Sequence, residues 1–151
     1  MILHKLISTC LGIGYIRKGG GTVAAVATCL VWYFCMTEAG GNSNFLIPGI
    51  ITILLYAIGI WSGNKVESEW GKDSYRVVID EAAGMCTTLL FIAPNKYYIL
   101  IGLVLFRFFD IAKPLYIRRM ENFKGGWGVM LDDMLAGIYA NIVLQLIVKF
   151  I

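Results

Sequence analysis

Five apolar runs, separated by short polar or glycine-rich breaks, organise this chain. The first is Thr22 to Thr37, TVAAVATCLVWYFCMT, which carries no charge and meets a loop at Gly40-Gly41-Asn42-Ser43-Asn44. The second is Phe45 to Trp61, again uncharged. The third runs from about Val77 to Ala93 and is broken by Pro94-Asn95; the fourth runs from Tyr97 to about Ile111, and the fifth from Val129 to Phe150. Each is near the lower limit for crossing a hydrocarbon layer of ~30 Å. The pattern predicts an all-α integral membrane bundle of about four to five short transmembrane or re-entrant helices. The third and fourth runs are the shortest, and read as tilted helices or as a hairpin that enters and leaves one side.

Composition strengthens that reading. Mean hydropathy is +0.72, 58% of residues are apolar and 15% are charged, where a soluble domain carries about 25% charge. The 151 residues fit one domain spanning 1–151. The start, MILHKLISTC, has no basic segment leading into a long apolar stretch and cleavage site, so no cleaved leader is expected. Cys10, Cys29, Cys35 and Cys86 form no CxxC pair and read as small apolar fillers.

Charge placement orients the bundle. With all five runs crossing, Lys5, Arg17, Lys18, Lys65, Lys72, Arg76, Arg107, Lys113, Arg118, Arg119 and Lys124 fall on one side. That is 11 of 13 basic residues; Lys96 and Lys149 fall on the other. The positive-inside rule makes the first side cytoplasmic, and a re-entrant hairpin barely changes the count. Nine of ten acids share that side: Glu67, Glu69, Asp73, Asp80, Glu81, Asp110, Glu121, Asp132 and Asp133. The net charge of +3 favours an anionic leaflet.

The acids are the candidate chemistry. Asp80-Glu81 open the third run in IDEAAG, Asp132-Asp133 open the fifth in LDDMLAG, and Asp110 closes the fourth in FRFFDIAKP. All five lie at the same end of their helices, near one membrane plane. Capping of helix N-termini accounts for one acid better than for two pairs and Asp110 at one level. Hard oxygen donors suit magnesium with phosphate better than zinc. Arg107 and Asp110 share a helix face, so they either pair with each other or divide the work between phosphate and metal. Arg107 and Lys113, set between apolar residues and the acids, suit phosphate contact, with Arg118 a further candidate. Arg119 reads as an interfacial anchor.

Glycines add a third element. Gly12 and Gly14, then Gly19-Gly20-Gly21-Thr22, precede the first apolar run, and Gly125-Gly126 with Gly128 precede the fifth. Such turns let backbone N–H groups approach a phosphate. Gly84, Ala136, Gly137 and Ala140 read as close-packing positions between helices. Absences narrow the field. His4 is the only histidine, no cysteine has an arginine six positions later, and neither GxxxxGK(S/T) nor DxD occurs. Metal-assisted chemistry on carboxylates remains.

These blocks resemble the phosphatidylglycerophosphatase A family, bacterial membrane enzymes that dephosphorylate phosphatidylglycerol phosphate. The family pattern FRxFDxxKPxPIRxxD stands here as FRFFDIAKPLYIRRME, and GGxGIMxDDxxAG as GGWGVMLDDMLAG. VVIDEAAG matches the family's IVxDEvvG, and GIGYIRKGGGT its GxGxxPxAPGT. Glycines replace the Ala-Pro before Gly21-Thr22, Tyr116 replaces a proline and Glu121 an aspartate. The resemblance implies an all-helical fold, magnesium dependence and a place in phosphatidylglycerol synthesis at the bacterial inner membrane, with an anionic phospholipid as partner and no nucleic acid. It points to Asp80, Asp132 and Asp133 as catalytic. Asp80, Glu81, Asp110, Asp132 and Asp133 become the metal set, and Arg107, Lys113, Arg118, Gly21 and Thr22 the substrate contacts. Two other readings stay open. A CDP-alcohol phosphotransferase would need a DGxxAR motif, which LDDMLAG does not supply. A small transporter or lipid-binding subunit would use the same ion pairs without chemistry.

Overall fold

A computed structural model describes residues 2–38, 45–72, 74–114 and 116–151. The expected Gly40–Asn44 loop and Asp73 lie outside the described residues. Seven helices follow in order: α1 (Ile2–Ser8), α2 (Gly20–Glu38), α3 (Leu46–Trp70), α4 (Ile79–Leu89), α5 (Lys96–Ala112), α6 (Ile117–Met120) and α7 (Gly126–Phe150). No strand occurs among the described residues. The all-helical membrane bundle expected from the apolar runs is what forms.

Three helices, α2, α3 and α7, are long and apolar enough to cross a membrane. Large apolar side chains ring the outside: Phe34 is 61% exposed, Ile53 69% and Val104 63%. In water such a belt would drive association, whereas lipid solvates it. The 11 residues of α4 rise about 16 Å, well short of a bilayer. α4 and α5 therefore work as an antiparallel pair packed on α7.

Helix ends sit where their backbone groups find partners. α4 stops at Leu89, inside the bundle, where its last carbonyls would be costly in lipid. Asn141 of α7 resolves this: its Nδ2 donates to the Thr88 carbonyl at 2.9 Å and the Leu90 carbonyl at 2.7 Å. Asn95 then starts α5 by accepting from the Tyr97 N–H at 2.8 Å. α3 runs beyond the apolar run that ends at Trp61, through charged helix formers, to a glycine stop at Gly71 (φ 81°). Its Asn64 caps another helix, accepting from the Gly126 N–H at 2.7 Å at the start of α7.

Small residues set how closely the helices approach. A Cβ on Gly137 would stand 2.6 Å from the Gly84 carbonyl, and one on Gly84 would stand 2.5 Å from the Phe106 ring. α4 and α7 thus touch backbone to backbone at Gly84 and Gly137. Asp80 and Asp133 each lie one turn before that crossing, so the crossing brings the two acids to one level. The Gly125–Gly128 turn serves packing as well: a Cβ on Gly126 would meet the Ile60 carbonyl at 2.5 Å. Lys96 and Lys149, the two basic residues assigned to the far side, stand at the opposite ends of α5 and α7 from the acids.

Candidate active site

Three helices deliver the charged residues to one cleft at the edge of the apolar belt. Asp80 and Glu81 open α4, Arg107 and Asp110 come from the last turns of α5, Lys113 caps that helix, and Asp132 and Asp133 come from the second turn of α7. The N-terminus of α2 closes the other wall with Gly19, Gly20 and Gly21. The cleft holds about 330 Å³.

The carboxylates fall into two triads. Oxygens of Asp80, Asp132 and Asp133 lie within 4.8 Å of one another, as do those of Glu81, Asp110 and Asp133. Asp133 belongs to both and is 1% exposed; Asp132 is 5% exposed. Arg107 reaches two acids through Nη1, Glu81 at 2.7 Å and Asp110 at 2.6 Å. Lys113 Nζ bridges Asp132 at 2.5 Å and Glu121 at 2.8 Å. The pairing of Arg107 with Asp110, which their spacing allowed, is therefore real, with Glu81 as a second partner. A guanidinium has five N–H donors, and both these bonds use one nitrogen.

Charge balance is the decisive property. Five carboxylates (Asp80, Glu81, Asp110, Asp132, Asp133) face two cations, Arg107 and Lys113, and Arg17 is the third cation lining the cleft, so acids outnumber bases five to three in a largely buried volume. Packed carboxylates at this density repel, and burial strips them of solvent. Asp80 Oδ1 and Asp133 Oδ2 are buried without a hydrogen-bond partner. All donors in the cluster are hard oxygens, and His4 is engaged elsewhere, 4.3 Å from the Trp61 ring. The donor set, the orphaned oxygens and the uncompensated charge all fit one or two magnesium ions.

Lys113 stays charged at neutral pH. Burial alone would lower its pKa, but the hydrogen bonds it donates to Asp132 and Glu121 override that and push it above its ordinary value. Cys10, near the cleft, is no nucleophile. Burial, and secondarily the Asp80 carboxylate, push its thiol up to about 11.

The other expected site residues separate. Gly21 is at the wall: a Cβ there would stand 2.7 Å from Glu81 Oε1, so any larger residue would have to displace that carboxylate. Its helix opens with Val23 N–H bonded to the Gly19 carbonyl, leaving the first N–H groups at the cleft. Thr22 is exposed and does not line the cleft. Arg118 is exposed on α6 and borders a separate depression with Tyr116 and Arg119. Arg119 stacks its guanidinium 4.8 Å from the Tyr116 ring, as an anchor would. Arg17, Ser74 and Tyr75 line the acid cleft and were not picked out from sequence. Arg17 had a signal: it is a basic residue inside the glycine block GIGYIRKGGGT, and Gly14 holds that loop against the Arg76 carbonyl so closely that no Cβ would fit.

The family profile for phosphatidylglycerophosphatase A matches residues 6–148, which takes in every residue of the cleft. The chain belongs to the phosphatidylglycerophosphatase A family. It is 35% identical over 141 residues to phosphatidylglycerophosphatase A of Haemophilus influenzae, covering 91% of this chain and 84% of that protein. With phosphatidylglycerophosphatase A of Escherichia coli K12 it shares 30% over 145 residues, 94% of this chain and 81% of that protein. A Bacteroides thetaiotaomicron protein, provisionally named a phosphatidylinositol-3-phosphatase, is 40% identical over 145 residues, 94% of this chain and 91% of that protein. No solved structure matches the chain. Family membership makes the protein a phosphoric monoester hydrolase and removes the transporter and phosphotransferase readings.

Proposed function

We propose that this protein hydrolyses the terminal phosphate of phosphatidylglycerol phosphate, with magnesium, at the cytoplasmic face of the bacterial inner membrane. The observation that carries the reading is the pair of carboxylate triads sharing Asp133 beside Arg107 and Lys113 at the membrane edge. Asp80, Glu81, Asp110, Asp132 and Asp133 would hold the metal, which supplies charge neutralisation on the phosphate and activation of the attacking water.

The protein's own groups do the rest. Arg107 and Lys113 neutralise phosphate oxygens from one wall, while Arg17 and the first N–H groups of α2 face them from the other. An oxygen of Asp80 or Asp133 that the metal would not take up accepts a proton from water as the water oxygen bonds to phosphorus. The bond from phosphorus to the glycerol oxygen breaks, and the proton passes to that departing oxygen. Water becomes part of inorganic phosphate and the lipid leaves as an alcohol. Burial of the acids keeps these charges in a low-dielectric setting, where each interaction is stronger than in water.

A phosphoinositide is the second reading, favoured by the name of the Bacteroides relative. Phosphate release measured side by side on phosphatidylglycerol phosphate, phosphatidylinositol 3-phosphate and glycerol 3-phosphate decides between them. We expect the first to be the best substrate by kcat/KM. Release from the inositol lipid alone would move the assignment to it.

The sidedness has its own test. The split of basic residues puts the acid end in the cytoplasm and the end of α7 outside. Reporter fusions after Lys124 and after Ile151 should report cytoplasmic and external positions respectively. The same side for both contradicts the arrangement.

A further inference from the structure

We propose that the slot between α2 and α3 is the seat of one acyl chain of the phospholipid substrate. The inference rests on the lipid phosphatase reading above. α2 and α3 are consecutive long helices, yet α2 packs on α4 and α5 while α3 packs on α1, α4 and α7. Between them lies an apolar slot of about 330 Å³, floored by α4. Ala24, Thr28, Val31 and Cys35 line it from one stripe of α2, at spacings of four, three and four. Ile51 and Leu55 face them from α3, and Ala82 and Cys86 form the floor.

Its chemistry selects hydrocarbon. The Thr28 hydroxyl donates to the Ala24 carbonyl of its own helix at 2.8 Å, so its proton is not available to a ligand. Among the described residues no charged one lines it, and small side chains on α2 and α4 leave width for a chain rather than a headgroup. From Ala24 to Cys35 the slot extends about 17 Å along α2, the reach of an acyl chain rather than of a fragment.

Its position selects the substrate. Ala82 follows Glu81 directly, and Ala24 is one turn beyond Gly20 and Gly21, which wall the acid cleft. The slot thus begins where the acid cleft ends and runs into the bilayer. A phospholipid with its phosphate over the acids would send a chain down this path. The other exposed apolar positions of α2, such as Leu30 and Phe34, lie outside the slot and face bulk lipid.

Ala27 lines the slot away from every charged group, so Ala27→Phe and the graded Ala27→Leu obstruct it without touching the cleft. We expect Ala27→Phe to lower kcat/KM on a long-chain phosphatidylglycerol phosphate about tenfold or more, Ala27→Leu to lower it less, and both to leave hydrolysis of a dihexanoyl analogue near wild type. Equal effects on both lipids, or none on either, overturn the proposal. Photo-labelling reads occupancy without catalysis. A phospholipid carrying a diazirine along one chain, in nanodiscs, should mark Val31 and Cys35 over Leu30 and Phe34, and Ala27→Phe should remove that preference. Uniform marking overturns the slot. Disulfide-linked dimers through Cys35 in place of label would assign it to a second copy. Failure of the phosphatase reading itself appears separately, as no phosphate release from either lipid by the wild-type protein.

Discussion

Asp133→Asn is expected to lower phosphate release at least ~100-fold while making the metal-free protein more stable. The two effects have one cause. Asp133 is common to both triads, is 1% exposed and holds an oxygen without a partner. Its charge is useful only when a cation is present. In a chelator it is one of five carboxylates that face only three cations in the cleft, so removing it relieves repulsion. Each kcal/mol of relief should raise the unfolding midpoint by about 2–4 °C for a chain of this size. Asp80→Asn should behave the same way. Asp132→Asn should lose as much activity without the gain in stability, because Asp132 anchors Lys113 at 2.5 Å. Midpoints in EDTA beside rates in magnesium measure this, and a loss of both stability and activity in Asp133→Asn would make that residue structural.

The second large effect concerns Arg107. Its Nη1 holds Glu81 and Asp110, so it could serve only as their counter-ion. Removing Arg107 alone would then fail merely because it strands buried acids, and Arg107→Gln combined with Asp110→Asn would restore much of the rate. We expect otherwise: Arg107→Gln loses about 100-fold and the double variant remains inactive, since phosphate and metal contacts are lost together. Lys113→Gln should lose activity chiefly on the phosphorylated lipid. Arg119→Gln, on the outer face, should leave the rate unchanged. An active double variant would shrink the site to Asp80, Glu81, Asp132 and Asp133.

Much of this site was readable because its signals are local. Asp80-Glu81 and Asp132-Asp133 stand in short runs at the starts of apolar segments, and Arg107 with Asp110 obeys helix spacing. Their common level followed from lying at matching helix ends, and Gly84 and Gly137 supplied the contact that aligns them. What stayed hidden depends on partners far apart in sequence. Asn64 caps α7 from 62 residues away, and Asn141 closes α4 from across the bundle. Neither leaves a periodic trace. α3 was undercounted because hydropathy ends at Trp61 while helix propensity continues to Trp70. Arg17 lies in a loop with no regular spacing to place it. Arg118 shares a motif with Lys113, yet its side chain is exposed and borders a depression separate from the acid cleft.

The central claim is that these buried acids form a divalent cation site for lipid phosphate hydrolysis. Phosphate release from phosphatidylglycerol phosphate in mixed micelles, followed while EDTA removes magnesium and a magnesium excess restores it, tests this most directly. The account predicts that the rate falls to background in EDTA and returns with magnesium. An undiminished rate in excess EDTA would contradict it.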